Sequence, residues 1–271
     1  FTNNLNNKVI CDLQDNMALA MMRRYENSEL WYRFLFKREA KLIEKYEQKC
    51  LQNIDAATII SEQDKAQIKH YTEKIRTVKN GIDTELFKPN SSITKSYDIA
   101  FAGNLAYPPN KDACLYLLNE ILPKLKKQKA DISFLLIGKG ADNQLTQLAK
   151  TKQVQLTGWV DNMADYYNQC KILVAPLRMG AGLQNKILEA LSCGLPVVSS
   201  EIAAFPISKA ETPFFKIAKT DDEFATKAIE LLGQAKEDKN LNARQFVISS
   251  YGWQENTKPL LTLINETIQQ C

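Results

Sequence analysis

The residues best suited to chemistry lie in one short segment, residues 178–189, which reads Arg-Met-Gly-Ala-Gly-Leu-Gln-Asn-Lys-Ile-Leu-Glu. A strand is predicted just before it, over residues 172–176, and a helix is predicted to begin at about Leu183. The amino end of a helix offers unpaired N–H groups and about half a positive charge. Arg178 and Lys186 add two cations. Three positive elements at one loop are what a diphosphate needs.

Glu189 gives the same segment a group that phosphates would repel. It follows Lys186 by three residues, so both side chains can reach one crevice. A carboxylate beside a phosphate site needs another purpose, such as accepting hydrogen bonds from ribose hydroxyls. The alternative is a surface Lys–Glu helix pair, which is common and contributes little. The glycine loop in front of the helix favours the ligand interpretation.

Six of the ten glycines follow successive predicted strands: Gly103, Gly138, Gly140, Gly158, Gly180 and Gly182. In an open parallel sheet the carboxyl ends of the strands share one edge, and ligands bind in the crevice there. Alternatively, each glycine simply makes a turn between a strand and a helix. That interpretation is less natural for two Gly-x-Gly loops at one edge, so a ligand site is favoured.

Several other kinds of site are disfavoured. Gly138-Lys-Gly140 lacks the third glycine of a dinucleotide-binding fingerprint, because position 143 is Asn, and a Walker A loop is absent. His70 is the only histidine, which excludes a His-rich metal site and leaves a Ser-His-Asp triad dependent on a residue expected to be solvated. The six cysteines form no C-x-x-C pair, and their scatter suits a reducing compartment.

Composition sets the outer limits. The chain has 271 residues, of which 45% are hydrophobic and 24% charged, enough for one large domain or two modest ones. A net charge of +4 is too small for a dedicated nucleic-acid binder. No apolar run approaches the roughly 18–20 residues that a membrane-spanning helix needs.

The elements that must position the segment alternate between strands and helices. Apolar runs predict strands over residues 98–101, 132–137, 154–156, 172–175, 196–198 and 213–217, separated by segments with helical spacing. Helices are predicted near residues 222–233 and 238–250. This alternation predicts an α/β fold with a doubly wound parallel sheet.

The first 92 residues follow a different pattern. Helices are predicted over residues 12–26, 28–52 and 62–71, strands over 56–60 and 75–78, and a turn at Asn80-Gly81. Two strands are too few for a parallel sheet covered on both faces, so this portion is expected to be a partial domain.

Basic and aromatic residues interleave on the first two predicted helices, in Arg23-Arg24-Tyr25 and in residues 31–38. Such helices could touch a membrane surface. The favoured interpretation is that the aromatic side chains pack against the N-terminal sheet while the cations reach water.

Taken in order, the motifs resemble those of the GT-B-fold retaining glycosyltransferases of the group 1, family 4 type. The matching pieces are Asn80-Gly-Ile-Asp83 with Phe87 and Pro89, Phe101-Ala-Gly103-Asn104-Leu with Pro109-Asn110, Leu135-Leu-Ile-Gly138-Lys-Gly140, Leu156-Thr-Gly158-Trp159-Val160, Ala175-Pro-Leu-Arg178, Lys186-Ile-Leu-Glu189-Ala and Gly194-Leu-Pro-Val-Val.

This resemblance implies a partial N-terminal, acceptor-side domain (residues 1–92) and a C-terminal Rossmann-like domain (93–252) that binds a nucleotide-sugar donor. A final helix (253–271) would cross back onto the first domain. Arg178 and Lys186 would be the catalytic cations that hold the donor diphosphate. The other implied donor contacts are Gly103, Asn104, Gly138, Gly158, Trp159, Val160, Gly180, Ala181, Gly182, Leu183, Gln184 and Glu189.

The resemblance also implies transfer with retention of configuration to a glycan, lipid-linked or protein acceptor, as in polysaccharide biosynthesis. No metal or other cofactor and no nucleic acid would be needed. The enzyme would act in the cytoplasm, with peripheral contact to the inner face of the membrane.

Two features depart from the family pattern. Its E-x7-E motif ends at Glu189, which places its first glutamate at position 181, where this chain has Ala181. That glutamate usually contacts the donor sugar, so an altered sugar site is expected. The family's N-terminal domain also begins well upstream of Phe1, which predicts a fragment. A non-catalytic nucleotide-sugar-binding module is the alternative function. A GT-B-fold sugar-nucleotide epimerase is a third, which the single histidine disfavours.

Overall fold

The computed structural model describes residues 7–14, 16–26, 28–180, 183–205, 207, 210–234 and 241–269. The chain forms two compact units. The first comprises Phe1–Gly81, Met179–Leu183 and Tyr251–Cys271, and the second comprises Ile82–Arg178 and Gln184–Ser250. Within the described residues, no helix has both the length and the apolar character needed to cross a membrane.

The first unit is built on a three-stranded parallel sheet in the order β1-β2-β3. Its strands are β1 (Ile10–Asp12), β2 (Ala56–Ile59) and β3 (Ile75–Thr77). Its helices are α1 (Met17–Glu26), α2 (Leu30–Gln52), α3 (Glu62–Lys65) and a 3-10 turn (Thr72–Lys74), with α12 (Trp253–Asn256) and α13 (Lys258–Gln269) at the end of the chain.

The core of this unit lies between the central strand β2, which is buried throughout, and the end of α2. Leu51 packs there with Ile59 and Ile75. The Lys74 ammonium donates to the carbonyls of Leu51 (3.0 Å) and Ile54 (2.8 Å), so a cation satisfies acceptors that the end of the helix leaves open. α13 packs on β2 and β3.

Three predictions for this region are wrong. There are three strands rather than two, because β1 is only three residues long and too short to give a periodic signal. The first helix starts at Met17, not residue 12, because the Asn16 side chain accepts from the Leu19 N–H (2.8 Å) and caps it. The helix predicted to Tyr71 ends at Lys65, and Tyr71 itself has a left-handed φ of +57°.

The favoured interpretation of the aromatic residues on the second helix is also wrong. Trp31 is 90% exposed and Phe34 is 78% exposed, so neither packs against the sheet. α2 instead places Ala40 and Leu51 in the interior and turns the aromatic side chains outward.

The second unit is a six-stranded, fully parallel sheet in the order β6-β5-β4-β7-β8-β9. Its strands are β4 (Tyr97–Ala102), β5 (Phe134–Ile137), β6 (Gln155–Leu156), β7 (Cys170–Ala175), β8 (Val197–Ser200) and β9 (Phe215–Ala218). The predicted doubly wound α/β fold is confirmed, with strand ends shifted by one or two residues. Continuous apolar runs give strands such as β5, which is buried on both faces.

The helices of this unit cover the sheet. They are α4 (Pro108–Tyr116), a π-helical turn (Leu117–Ile121), α5 (Leu122–Gln128), α6 (Asn143–Lys152), α7 (Met163–Asn168), α8 (Asn185–Ser192), α9 (Glu201–Ala204), α10 (Asp221–Gln234) and α11 (Leu241–Tyr251). The helix predicted from Leu183 therefore begins at Asn185.

Gly81 is required for close packing rather than for the predicted turn. A Cβ at this position would lie 2.3 Å from Cδ2 of Trp253 and 2.6 Å from its Cε3, far closer to the indole than van der Waals contact allows. The neighbouring Asn80 carbonyl accepts a hydrogen bond from the Asn256 side chain (2.9 Å). Gly81 therefore lets α12 dock within the first unit.

We expect Gly81→Ala to lower the free energy of unfolding by about 1–3 kcal/mol, because the new methyl group must displace the indole. Denaturant unfolding would measure this loss. In a Trp253→Ala background the same substitution should cost much less, since the ring is gone. Equal costs in both backgrounds would contradict the packing explanation.

Candidate functional site

The candidate site lies where the order in which strands are added to the sheet of the second unit reverses. From β4 the chain adds β5 and β6 on one side, and it then returns to place β7, β8 and β9 on the other. The loops after β4 and β7 therefore leave toward opposite faces and open a crevice between them, which is where ligands bind in this kind of sheet. Gly103 follows β4, and Arg178 follows β7.

Lys186 is the buried cation at this crevice. It lies in the first turn of α8 and is only 9% exposed. Its ammonium donates to Oδ1 of Asn110 and lies 4.7 Å from the centroid of the Phe101 ring. A Cβ on Gly103 would lie 3.2 Å from the Lys186 Nζ and 2.7 Å from the Asn110 side chain, so the loop after β4 approaches the cation closely.

Burial changes the acid–base properties of this group. Desolvation lowers the pKa of Lys186 to about 8. The same burial raises the pKa of the neighbouring Cys114 thiol to about 12, against the smaller lowering effect of the Lys186 charge. At neutral pH the site therefore holds an ammonium beside a protonated thiol. The alternative of a solvated surface Lys–Glu pair is wrong, because Lys186 is inside the domain.

Glu189 is held by a residue that sequence reasoning missed. The hydroxyl of Tyr167, on α7, donates to Oε2 of Glu189 at 2.8 Å. Tyr167 is completely buried. Desolvation raises the pKa of Glu189, although the Tyr167 hydrogen bond and the Lys186 charge oppose that shift. One carboxylate oxygen is thus fixed by the protein.

Arg178 has a different environment from the one predicted. Its guanidinium makes two hydrogen bonds to the Asp112 carboxylate, at 3.0 and 2.5 Å. It also lies 4.8 Å from the centroid of the Tyr116 ring. Hydrogen bonding to Asp112 raises the pKa of Arg178, and its charge is already compensated. The two predicted cations therefore differ, because Lys186 makes its hydrogen bond to a neutral amide and feels the Glu189 carboxylate only through its charge.

The glycine loops after the first three strands of this unit are joined to one another. Gly138 has a φ of +133°, and a Cβ there would lie 1.9 Å from the carbonyl oxygen of Gly103. The Thr157 hydroxyl accepts from the Gly138 N–H (3.0 Å) and donates to the Gly158 carbonyl (2.9 Å). Close backbone packing accounts for Gly138, while Gly158 faces open space.

The remaining predicted donor contacts are distributed as follows. Asn104 is exposed in the second unit, and its carbonyl accepts from the Asn110 side chain (2.9 Å). Trp159 is 64% exposed and Val160 is partly buried. Gln184 is the N-cap residue of α8. Gly180 and Leu183 belong to the first unit, and Ala181 and Gly182 lie outside the described residues.

Three residues of the site were absent from the predicted set: Asn110, Asp112 and Tyr167. Asn110 is separated from Lys186 by 76 positions, and Asp112 from Arg178 by 66. The Pro109-Asn110 pair at the start of α4 was visible as a motif, but its partner was not. No pattern in the sequence marked Tyr167 as a partner of Glu189.

This architecture defines a class: an α/β domain of the Rossmann type with a cation at the edge where such sheets bind nucleotides. The chain belongs to the glycosyl transferases group 1 family, whose model matches residues 96–234. The group 1 part of the resemblance is thereby confirmed.

Comparison with individual proteins agrees with this family. The chain is 25% identical over 260 residues to TuaH of Bacillus subtilis (strain 168), which is named for a glycosyltransferase role in teichuronic acid biosynthesis. The alignment covers 84% of this chain and 63% of TuaH, so the chain spans less than two thirds of that relative.

Two solved structures share the fold. Sucrose-phosphate synthase from Thermosynechococcus elongatus matches with a TM-score of 0.77 and 17% identity, over 99% of this chain and 70% of that one. HepE of Anabaena, solved with UDP and glucose, matches with a TM-score of 0.72 and 13% identity, over 98% and 72%. The GT-B-like fold is therefore shown by structure as well as by sequence.

We expect Lys186→Met to unfold at a higher temperature than the native chain at pH 7. A buried charge whose pKa has fallen to about 8 opposes folding. The gain should be about 1–2 kcal/mol, since Asn110 loses its partner. The folded protein releases this proton before the unfolded chain does, so the native chain should gain stability between about pH 8 and pH 10.4. The difference between the two proteins should shrink over that range.

Thermal unfolding of both proteins from pH 7 to pH 10 would measure this effect. A Lys186→Met variant that is less stable at pH 7, or a difference that is constant with pH, would show that the buried charge is not what limits stability.

Proposed function

We propose that this chain contains the donor-binding part of a retaining glycosyltransferase. The enzyme would move a hexose from a nucleoside diphosphate sugar to a glycan, lipid-linked or protein acceptor. The observation that carries the proposal is the Lys186 ammonium, which is buried against the neutral Asn110 side chain at the edge of the Gly103 loop. A cation that is buried at such an edge with a neutral amide as its hydrogen-bond partner suits the binding of an anion there.

The proposed roles follow the chemistry of each group. Lys186 and the amino end of α8 bind the diphosphate. Arg178 joins them when the phosphates compete with Asp112 for its guanidinium. Glu189, oriented by Tyr167, accepts hydrogen bonds from the ribose hydroxyls. The exposed backbone of residues 158–160 contacts the base, and the loop of Gly103 and Asn104 lies beside the phosphates and the sugar.

Transfer breaks the bond between the anomeric carbon and a phosphate oxygen, and the nucleoside diphosphate leaves with the bonding electrons. The oxygen of an acceptor hydroxyl forms the new bond to the same face of that carbon, and its proton passes to the leaving phosphate. Lys186 stabilises this charge from a site that needs no reorganisation. We propose that the protein's own cations suffice and that no metal is required.

The names of two relatives suggest the donor and the biosynthetic role. TuaH is named for teichuronic acid biosynthesis, and HepE was solved with UDP and glucose. We therefore propose a UDP-sugar donor and a step in cell-surface polysaccharide assembly on the cytoplasmic side of the membrane.

The alternative is a nucleotide-sugar-binding module without catalysis, which Ala181 favours because the family glutamate is missing at that position. Such a module would bind the donor without turnover. Supplying the region of the relatives that this chain does not cover would discriminate, because only an enzyme should gain activity.

Calorimetric titration with UDP, GDP, ADP and their sugar conjugates tests the donor site. We expect saturable binding of UDP and its sugars and a loss of at least tenfold in affinity in Lys186→Ala, because a charge-assisted contact is removed. Lys216→Ala is a matched control, since the Lys216 side chain, on β9 of the same unit, is also mostly buried but is paired with Glu230 (3.1 Å). Equal affinities of the Lys186→Ala and Lys216→Ala variants for UDP would contradict the assignment of Lys186 to the donor site.

The ribose contact makes a separate prediction. The native chain should prefer UDP to 2′-deoxy-UDP by about tenfold, the value of one hydrogen bond to a charged group. Glu189→Gln should reduce this preference, and Tyr167→Phe should weaken it while leaving the nucleotide base selectivity unchanged. An unchanged preference in both variants would remove Glu189 from the ribose site.

A further inference from the structure

Helix α4 supplies a hydrogen-bond partner to each of the two cations at the crevice. The side chain of Asn110 accepts a hydrogen bond from Lys186, and the carboxylate of Asp112 accepts two from Arg178. The two partners differ in kind, because one is a neutral amide and the other carries a full negative charge. α4 therefore neutralises Arg178 through a direct ion pair, but it gives Lys186 only an amide.

The ion pair occupies the groups with which an arginine binds phosphate. Nε of Arg178 donates to Oδ2 of Asp112 at 3.0 Å, and Nη2 donates to Oδ1 at 2.5 Å. Arginine makes paired hydrogen bonds of this kind to carboxylates and to phosphates alike. A phosphate and the Asp112 carboxylate therefore compete for the same two N–H groups.

The surroundings of Arg178 allow its guanidinium to change partner. The Arg178 side chain is 53% exposed and that of Asp112 is 20% exposed, and an ion pair so open to water is inexpensive to break. The guanidinium also lies 4.8 Å from the centroid of the Tyr116 ring, one helical turn beyond Asp112. This contact uses the face of the guanidinium and not its N–H edge, so it can persist when a phosphate replaces the carboxylate.

The charge of the bound nucleotide changes during the proposed transfer. In the donor, the terminal phosphate is esterified to the sugar. After transfer this phosphate has a free oxygen, and the proton that it receives is largely lost at neutral pH, because the second pKa of a phosphate monoester is about 6. The cations of the crevice therefore hold the nucleoside diphosphate product more strongly than the donor, which delays its release.

We propose that Asp112 is a positioning residue that takes Arg178 back from the nucleoside diphosphate product and thereby speeds the release of that product. This role rests on the proposed function, because it needs a diphosphate at the Lys186 crevice. Asp112 acts through Arg178. Its carboxylate is fixed to α4 beside the guanidinium, so the ion pair forms again each time the phosphate lets go. The affinity for the product falls, while the cation that assists transfer is kept.

Asp112→Asn tests this role, because asparagine keeps the shape of the side chain and removes its charge. Stopped-flow measurement of dissociation and calorimetric titration would compare the variant with the native chain. We expect UDP to dissociate about fivefold more slowly and to bind about fivefold more tightly, the upper end for a partly exposed ion pair. The affinity for UMP should change by less than about twofold, since Lys186 and the amino end of α8 can hold its single phosphate without Arg178.

Glu120→Gln is the matched control. The charge of Glu120 also raises the pKa of Arg178, although less than the Asp112 hydrogen bond does, and its side chain is exposed. The substitution removes one negative charge near the same guanidinium without removing that hydrogen bond. It should change UDP dissociation by less than about twofold.

An Arg178→Met background shows whether Asp112 acts through the guanidinium. Asp112→Asn should lose most of its effect on UDP dissociation there, because the group for which the carboxylate competes is gone. A direct repulsion between Asp112 and the nucleotide would persist in this background. Thermal unfolding would check that each variant is folded.

Unchanged or faster dissociation of UDP from Asp112→Asn would overturn the proposal, since the ion pair would then only anchor the loop after β7 or hold Arg178 toward the ligand. An equal gain in affinity for UMP, or a full effect in the Arg178→Met background, would also overturn it. If neither the native chain nor any variant binds UDP, the donor site fails together with this role. If the native chain binds UDP and Lys186→Ala weakens binding while Asp112→Asn has no effect, the donor site stands and the role of Asp112 is refuted.

Discussion

The structure of the candidate site depends on one constraint: the Lys186 ammonium is buried in the second unit, with a neutral amide as its hydrogen-bond partner and the Glu189 carboxylate as a nearby opposite charge. Asn110 supplies one hydrogen bond, and the face of Phe101 lies 4.7 Å away. The surrounding strands and helices must be positioned so that these contacts can form. β4 has to end beside β7, and α4 has to bring Asn110 over the crevice. Position 103, with a φ of +149°, has to lack a Cβ, which would lie 2.7 Å from the Asn110 side chain. An anion is the natural complement of such a site.

Much of the fold was predictable because its signals are local. Short apolar runs identified all six strands of the second unit, and their alternation with helices indicated a parallel sheet. The wrong predictions concern residues whose environment is set by a contact with a part of the chain that is distant in sequence. Gly81 looked like a turn residue, but its role is set by Trp253, far along the chain. The aromatic residues of α2 resembled a packing face, yet the helix buries its smaller side chains and exposes Trp31.

The site was predictable in part for the same reason. Lys186 and Glu189 share one helix turn, and a glycine loop precedes that turn. This order of residues in the sequence is enough to indicate a ligand site. Their partners come from α4 and α7, so spacing could not reveal them. Arg178 shows the limit most clearly. Its position after β7 was predicted correctly, but its carboxylate partner, Asp112, lies in another element and gives this cation a compensated charge.

Cys114 shows how burial around Lys186 affects the reactivity of a neighbouring group. A thiol near an ammonium is usually activated, since the positive charge favours the thiolate. Here burial dominates and holds the thiol pKa at about 12, so the sulfur is inert toward oxidants and alkylating reagents while the domain stays closed. The rate at which Cys114 reacts would therefore report how often the crevice opens. The cysteine is a built-in probe of opening motions around the buried lysine.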